Sequence, residues 1–147
     1  MNYETYPMVV PTLVFNRVCN QAIDLYEKAF DARVKAKMLF SDADPKDLTY
    51  EEEDKNLVYY TELMIGKFLI MLHDDHYNFL DKGVKGRATL TSLCVSFDSE
   101  EKARVAFEIL SDGATILMER TNGSFFDFYV TLIDKFGIAW ELYFGDA

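Results

Sequence analysis

Apolar and polar residues alternate in short runs along most of this chain, and two segments show helical spacing instead. The alternating runs predict eight strands, at residues 8–15, 33–40, 57–65, 68–72, 88–97, 114–118, 125–133 and 137–144. Apolar residues that recur every three or four positions predict helices at residues 21–30 and 99–110. The order of elements is therefore one strand, one helix and three strands, repeated once.

Turn and cap residues separate these elements. Asn20 is expected to cap the first helix and Asp98 the second, because short polar side chains accept hydrogen bonds from the first helical N–H groups. Gly66 followed by Lys67 predicts a tight turn that joins the third and fourth strands into a hairpin. Pro11 lacks a backbone N–H, so the first strand is expected either to lie at the edge of a sheet or to pair irregularly at that residue.

The two halves of the chain also match in sequence. A shift of 81 residues places Tyr26 on Phe107 and Ala22 on Ala103, in the same order as the repeated elements. These matches predict duplication of one strand-helix-three-strand module. The two modules would cover about residues 1–80 and 87–147 of a single domain that spans 1–147.

Composition narrows the range of functions. Half of the 147 residues are apolar, which is enough for a well-packed core, and the formal net charge of −10 argues against nucleic acid and anionic membranes as partners. No apolar run approaches the roughly 18 residues needed to span a bilayer. No basic segment precedes the first apolar residues, and Cys19 and Cys94 lack metal-binding spacing. We therefore expect a cytoplasmic protein with reduced thiols.

The last predicted strand contains an ionisable residue in an apolar run. Glu141 lies between Trp140 and Leu142, where a strand buried on both faces would carry another aliphatic residue. A buried carboxylate costs several kcal/mol unless it is paired, bound to a metal or protonated. Glu141 is thus either a functional group or a residue on a face that water reaches.

The two histidines of the chain, His73 and His76, follow the fourth strand. Strand alternation puts His73 on the same face as Met71 and on the opposite face from Ile70. The pattern does not decide which face is functional. The pair could contribute to a local metal site, or it could be a polar strand end that runs into a loop.

Several short strings resemble one known family. They are PTLVFN and AIDLYEKAF in the first half, then TELMIG and LIML followed by HDD, and finally FEILSDGA and DKFGIAW. In this order and spacing they resemble the PhnB-like branch of the vicinal-oxygen-chelate superfamily, which includes glyoxalase I, extradiol dioxygenases and bleomycin- and fosfomycin-resistance proteins. The resemblance implies an α+β fold of two βαβββ modules whose strands curl into a cup. It also implies a homodimer.

Metal-using members of this superfamily place four ligands in the cup, on the first and last strands of each module. Matched to this chain, those positions fall near Pro11, at Ile70 or Met71, at Ser92 and at Glu141. Only Glu141 would bind a divalent metal well, because proline and aliphatic side chains are not donors and thioethers favour copper(I). The resemblance therefore implies that the usual metal site has been lost.

The leading hypothesis is a protein that binds a small molecule in a metal-free cup. The residues expected to line the cup are Glu141, Ser92, Pro11, Met71, Tyr60, Glu62, Trp140 and Tyr143. No cofactor is expected. One alternative is a metal-dependent lyase or dioxygenase with a displaced ligand set, in which His73 or Glu62 joins Glu141. Another is a dimer that serves as a scaffold for a protein partner.

Overall fold

The computed structural model describes residues 9–77 and 91–145. The elements of the first module are β1 (Thr12–Phe15), α1 (Cys19–Phe30), β2 (Arg33–Leu39), β3 (Val58–Ile65) and β4 (Phe68–Asp74). The elements of the second module are β5 (Leu93–Ser96), α2 (Glu100–Ser111), β6 (Thr115–Thr121), β7 (Phe128–Ile133) and β8 (Ala139–Phe144). Two short 3₁₀ turns, Phe40–Asp42 and Glu52–Asp54, lie in the acidic segment between β2 and β3.

Each module forms its own four-stranded sheet, and the two sheets have the same topology. The strand order is β1-β4-β3-β2 in the first and β5-β8-β7-β6 in the second. The pairs β1–β4 and β5–β8 are parallel, and the remaining neighbours are antiparallel. This arrangement confirms the predicted α+β fold of two βαβββ modules. The first strand lies at a sheet edge, which is one of the two arrangements that Pro11 predicted.

Both helix caps differ from the prediction. The residue before α1 is Val18, which makes no side-chain cap, and the Asn20 side chain instead donates to the carbonyl of Asn56 at 3.1 Å. Ser99 caps α2, because its hydroxyl accepts from the backbone N–H of Lys102 at 3.2 Å. Asp98 pairs with the Lys102 ammonium group instead.

The observed strands are mostly shorter than the predicted ones. The strand β7 begins at Phe128 rather than at residue 125, because backbone hydrogen bonds from Asn122 to Asp127 and from Gly123 to Phe126 close a loop before it. The strand β6 is longer than predicted and runs to Thr121. The predicted strand residues 8 and 88–90 lie outside the described residues.

The two modules share one hydrophobic core, which the helices fill. Trp140 of β8 contacts two aromatic rings of α1, those of Tyr26 and Phe30, with ring centroids 5.1 and 4.6 Å away. Such tilted aromatic contacts add to the stabilisation from burial alone. We call the sheet surface that packs on this core the helix face and the opposite surface the cup face. No helix in the described part of the chain is long and apolar enough to cross a membrane.

Candidate functional site

Strand register places Glu141 on the cup face of the second module. Glu141 is paired with Cys94 of β5 and Thr131 of β7, and paired residues in a sheet point to the same side. The neighbours Trp140 and Leu142 point to the helix face, where both are fully buried. The carboxylate therefore lies on the exposed side of a strand whose other side is core.

Two hydroxyl groups hold the Glu141 carboxylate. Ser92 donates from its hydroxyl to Oε2 at 2.6 Å, and Tyr129 donates from its phenol to Oε1. The hydrogen bond from Ser92, followed by that from Tyr129, lowers the pKa of Glu141 below its ordinary value. The same contact with Glu141 raises the pKa of Tyr129. Since both donors are neutral, the cluster keeps the negative charge of the carboxylate.

Aromatic rings pack on Tyr129, one of the two residues that hold this carboxylate. The ring of Tyr129 contacts those of Tyr143 and Phe126, with centroids 6.1 and 5.7 Å away. The Tyr143 hydroxyl donates to the carbonyl of Phe125 at 2.5 Å, which fixes the ring on the cup face. The structure therefore places Glu141, Ser92 and Tyr143 together on the cup face, with aromatic rings beside the anionic group.

The first module carries a second tyrosine–glutamate pair. Thr12, Met71 and Glu62 lie in one row across β1, β4 and β3 on the cup face. The Tyr60 hydroxyl donates to Oε1 of Glu62 at 2.5 Å, and this hydrogen bond lowers the pKa of Glu62. In this module the carboxylate is on β3, one strand away from the position that corresponds to Glu141.

The register also decides the orientation of His73, which the sequence left open. His73 pairs with Val14 of β1 and shares the cup face with Met71, whereas Ile70 and Leu72 are buried on the helix face. Met71, not Ile70, is therefore the cup-facing residue of the last strand in the first module.

Two predicted cup residues lie elsewhere. Pro11 precedes Thr12 by one residue and so points to the helix face, and its carbonyl accepts from the Met71 N–H at 2.9 Å. Trp140 is completely buried in the core between the modules. Thr12 takes the cup-facing position of the first strand that had been predicted for Pro11.

The misplacement of Pro11 has a structural origin. The shift of 81 residues holds for the helices, since Ala22 and Ala103 are both completely buried. In the first strands the same shift matches Pro11, which points to the helix face, with Ser92, which points to the cup face. The connection from β1 to α1 passes through Arg17 in the left-handed region (φ 65°), whereas Asp98 at the matching position is not left-handed. The two modules therefore reach their helices along different paths.

The four positions that correspond to superfamily metal ligands do not fit a hard divalent ion. They are occupied on the cup face by Thr12, Met71, Ser92 and Glu141, which supply a single strong oxygen donor. Among the described residues, no group of three or more His, Cys, Asp or Glu side chains could hold a metal ion. No catalytic step through such a metal follows from these residues.

One important residue of the site was not among those predicted. Tyr129 supplies a hydroxyl to Glu141, and no binding role was predicted for this residue. A usable signal was present, because the alternation of Phe128, Tyr129 and Val130 puts the polar ring on the face opposite two core residues.

Glu141 is not among the described residues that line two cavities of this surface. The larger has a volume of about 1220 Å³ and lies between the modules, where Pro11, Phe30 and Trp140 contribute to its wall. The smaller has a volume of about 430 Å³ and lies on the cup face of the first module. Glu141 itself is half-buried in a single chain.

Comparisons with known proteins find relatives by structure. Neither protein-family models nor curated protein sequences match this chain. Among solved structures, protein PA1353 from Pseudomonas aeruginosa superposes with a TM-score of 0.77 at 25% identity, over 96% of this chain and 99% of that protein. The PhnB protein from Bacillus cereus gives a TM-score of 0.75 at 20% identity, over 95% of this chain and all (100%) of that one.

A third structural relative is a resistance protein. The fosfomycin resistance protein FosX from Listeria monocytogenes gives a TM-score of 0.62 at 15% identity, over 96% of this chain and 94% of that one. These matches extend over nearly the whole chain and agree with the two-module topology described above. The chain therefore has the fold of the vicinal-oxygen-chelate superfamily, and its structural neighbours include PhnB and FosX proteins.

Proposed function

We propose that this protein binds a small organic cation on its cup face and does so without a metal ion. The observation that carries this proposal is the Glu141 carboxylate, which two neutral hydroxyls hold in its ionised form. A carboxylate has about four lone-pair sites, so each oxygen of Glu141 keeps one acceptor site after these two bonds. An ammonium group can use those sites.

The surroundings of Glu141 favour a cation over an anion or a neutral compound. Tyr129 binds the carboxylate and packs nearly perpendicular to Tyr143, with ring centroids 6.1 Å apart. The face of an aromatic ring attracts a positive charge within about 6 Å. The net charge of −10 adds a long-range attraction for cations and repels anions. An alkylammonium compound would satisfy both the carboxylate and the rings.

Glu141 is half-buried in a single chain, and a second copy of the chain would complete the cup around it. In a two-fold symmetric dimer, the first module of one copy would face the second module of the other. The cup face with Glu62 and Tyr60 would then close over Glu141 and Tyr129 of the partner copy. Each cup would then contain two tyrosine–glutamate pairs. Sedimentation analysis should therefore show a dimer, and a strictly monomeric protein would contradict this part of the proposal.

Choline and its neutral carbon analogue dimethylbutanol provide a direct test, because the two compounds have nearly the same shape and differ in charge. Choline, tetramethylammonium and spermidine are expected to raise the melting temperature, since a ligand that binds only the folded state stabilises it. Dimethylbutanol should not. Treatment with a chelator should leave the response to the cations unchanged.

The variant Glu141→Gln keeps the size of the side chain and removes its charge. It should abolish the response to cations, whereas Glu119→Gln, which removes an exposed carboxylate from β6, should not change it. Equal binding of choline and dimethylbutanol, or an unchanged response in Glu141→Gln, would refute cation recognition by this carboxylate.

A displaced metal site is the second candidate function. It is favoured by the pairing of Glu62 with Met71, which puts a carboxylate next to the family's ligand position. A variant of the related FosX protein binds Mn(II) together with dihydroxypropylphosphonic acid. Elemental analysis of protein purified without chelator separates the two candidates. Stoichiometric manganese, zinc, nickel or iron that is lost in Glu141→Gln would support the metal-dependent lyase or dioxygenase.

A further inference from the structure

The smaller cavity on the cup face of the first module contains four side chains with soft or nitrogen donor atoms. Its walls are formed by Thr12, Met38, Tyr59, Tyr60, Met71, His73 and His76. We call Met38, Met71, His73 and His76 the His–Met pocket. None of the described lining residues carries a carboxylate, so this donor set is unlike the one around Glu141.

Strand register brings three of the four donors to one face. Met71 and His73 are two residues apart on β4 and so point the same way. Tyr60 of β3 is the neighbour of His73 on this face, and Met38 of β2 is paired with Tyr60. Adjacent strands are about 4.8 Å apart, so the flexible Met38 side chain can reach across one strand toward His73.

A turn after β4 brings the fourth donor. The Asp75 N–H donates to the carbonyl of Phe15 at 2.8 Å, and the Asp75 side chain accepts from the Tyr77 N–H at 3.3 Å. This folds the chain back after the strand. The rings of His73 and His76 consequently lie with their centroids 5.0 Å apart.

A backbone carbonyl orients the imidazole of His73, and the second imidazole packs against it. The Nδ1 of His73 is 2.9 Å from the carbonyl oxygen of Asp74, and a carbonyl only accepts, so Nδ1 carries the proton and Nε2 presents its lone pair. The ring of His76 packs against that of His73 and lines the same cavity, so both imidazoles border one space.

We propose that the His–Met pocket binds a soft monovalent metal ion of the copper(I) class. Two thioethers and two imidazoles match the preference of copper(I), whereas thioethers are poor ligands for manganese, magnesium and zinc. The buried position of His73 limits access of water to the ion. This site uses other residues than Glu141, so it does not depend on the proposed cation binding.

Simple packing of the histidines is the competing explanation. His76 contacts the rings of Tyr59 and Tyr77 at 5.0 and 4.9 Å, and such contacts would hold it in place without any metal. Packing alone would make copper binding independent of the two methionines. A methionine-specific test therefore distinguishes the two explanations.

The experiment is an anaerobic titration with copper(I) in competition with bicinchoninate. All proteins carry Cys94→Ser, because Cys94 is an exposed thiol that could bind copper itself, while Cys19 is buried. The parent should bind about one copper(I) per chain. The double variant with Met38→Leu and Met71→Leu should bind it on the order of 100-fold more weakly.

Leucine and methionine have similar volumes, so the double variant should keep its fold, which thermal unfolding would verify. Met118→Leu in β6 is the matched control and should bind copper as the parent does. X-ray absorption of the parent complex should show sulfur neighbours that disappear in the double variant. Failure of the parent to compete with bicinchoninate, or equal affinities of the parent and the double variant, would overturn the proposal.

Discussion

The Tyr26 hydroxyl donates a hydrogen bond of 2.7 Å to Oδ2 of Asp134, although the two residues are 108 positions apart in the chain. Tyr26 belongs to α1 of the first module, and Asp134 begins the turn between β7 and β8 of the second. The same oxygen accepts from Trp140 Nε1 at 2.9 Å, and Oδ1 accepts from the N–H groups of Phe136 and Ile138. One buried carboxylate therefore ties the two modules together.

The variant Tyr26→Phe removes one donor from this junction and keeps the ring. Because the bond is buried and its acceptor is a carboxyl group, we expect a loss of about 2 kcal/mol in the free energy of unfolding. Urea unfolding would measure it. Tyr50→Phe is the matched control, since Tyr50 is partly exposed, and it should change stability little. A loss no larger than that of the control would contradict the role assigned to the junction.

The sequence predicted the elements and their order because these depend on local patterns. The alternation in β7, with Phe128, Val130 and Leu132 all fully buried, is visible from the residues alone. Asp134 could be interpreted only as a turn residue. Its role between the modules depends on Tyr26, and no local pattern predicts a partner so distant in the chain.

The candidate site was predictable in part for the same reason. Glu141 was evident as a carboxylate in an apolar strand, and Ser92 followed from the resemblance to the superfamily. The side of the sheet to which each β1 residue points was not predictable, because an error of one residue in the register reverses every side chain of a strand. Whether Thr12 or Pro11 faces the cup depends on the parallel pairing with Met71, which is a tertiary contact.

The hydrogen bonds to Glu141 predict a specific pH dependence of stability. The pKa of Glu141 is lowered by folding from an ordinary value of 4.5, so its contribution to stability is present above about pH 4.5. It is lost as the pH falls through the lower pKa of the folded state. Relative to Glu141→Gln, the wild-type protein should therefore lose stability in acid, which unfolding between about pH 3 and about pH 6 would measure.

The variant Ser92→Ala serves as the control for this pH effect. It removes the hydrogen bond that lowers the pKa of Glu141 most, so the loss of stability in acid should be smaller than in the wild type and should be complete at a higher pH. If the free energy of unfolding changes with pH in the same way for wild type and Glu141→Gln over the whole acid range, ionisation of Glu141 contributes nothing to stability.

Thr61 offers a chance to stabilise the protein. Its side chain is completely buried on the helix face of β3, and its hydroxyl has no hydrogen-bond partner among the described residues. An unsatisfied buried hydroxyl costs about 1–3 kcal/mol. Thr61→Val keeps the branched shape and should raise the free energy of unfolding by about 1 kcal/mol in a urea titration. A decrease would mean that the hydroxyl has a partner after all.

The ends of the two helices predict opposite effects for two glycine substitutions. The helix α1 ends at Asp31 in a left-handed conformation (φ 53°, ψ 38°), and the corresponding region of α2 uses Gly113 with φ 73°. Side chains are strained in this region and glycine is not. Asp31→Gly also removes a negative charge from the C-terminal end of the helix dipole, where such a charge is unfavourable.

We therefore expect Asp31→Gly to stabilise the protein by about 0.5 kcal/mol, after allowing for the greater freedom of glycine in the unfolded chain. Asp112→Gly is the matched control, because Asp112 ends α2 with φ −64° and gains nothing from glycine. That variant should lose about 0.5–1 kcal/mol. Urea unfolding of both proteins measures the difference. A loss of stability in Asp31→Gly would contradict the prediction. It would show that the aspartate side chain stabilises the protein by more than its left-handed backbone conformation costs.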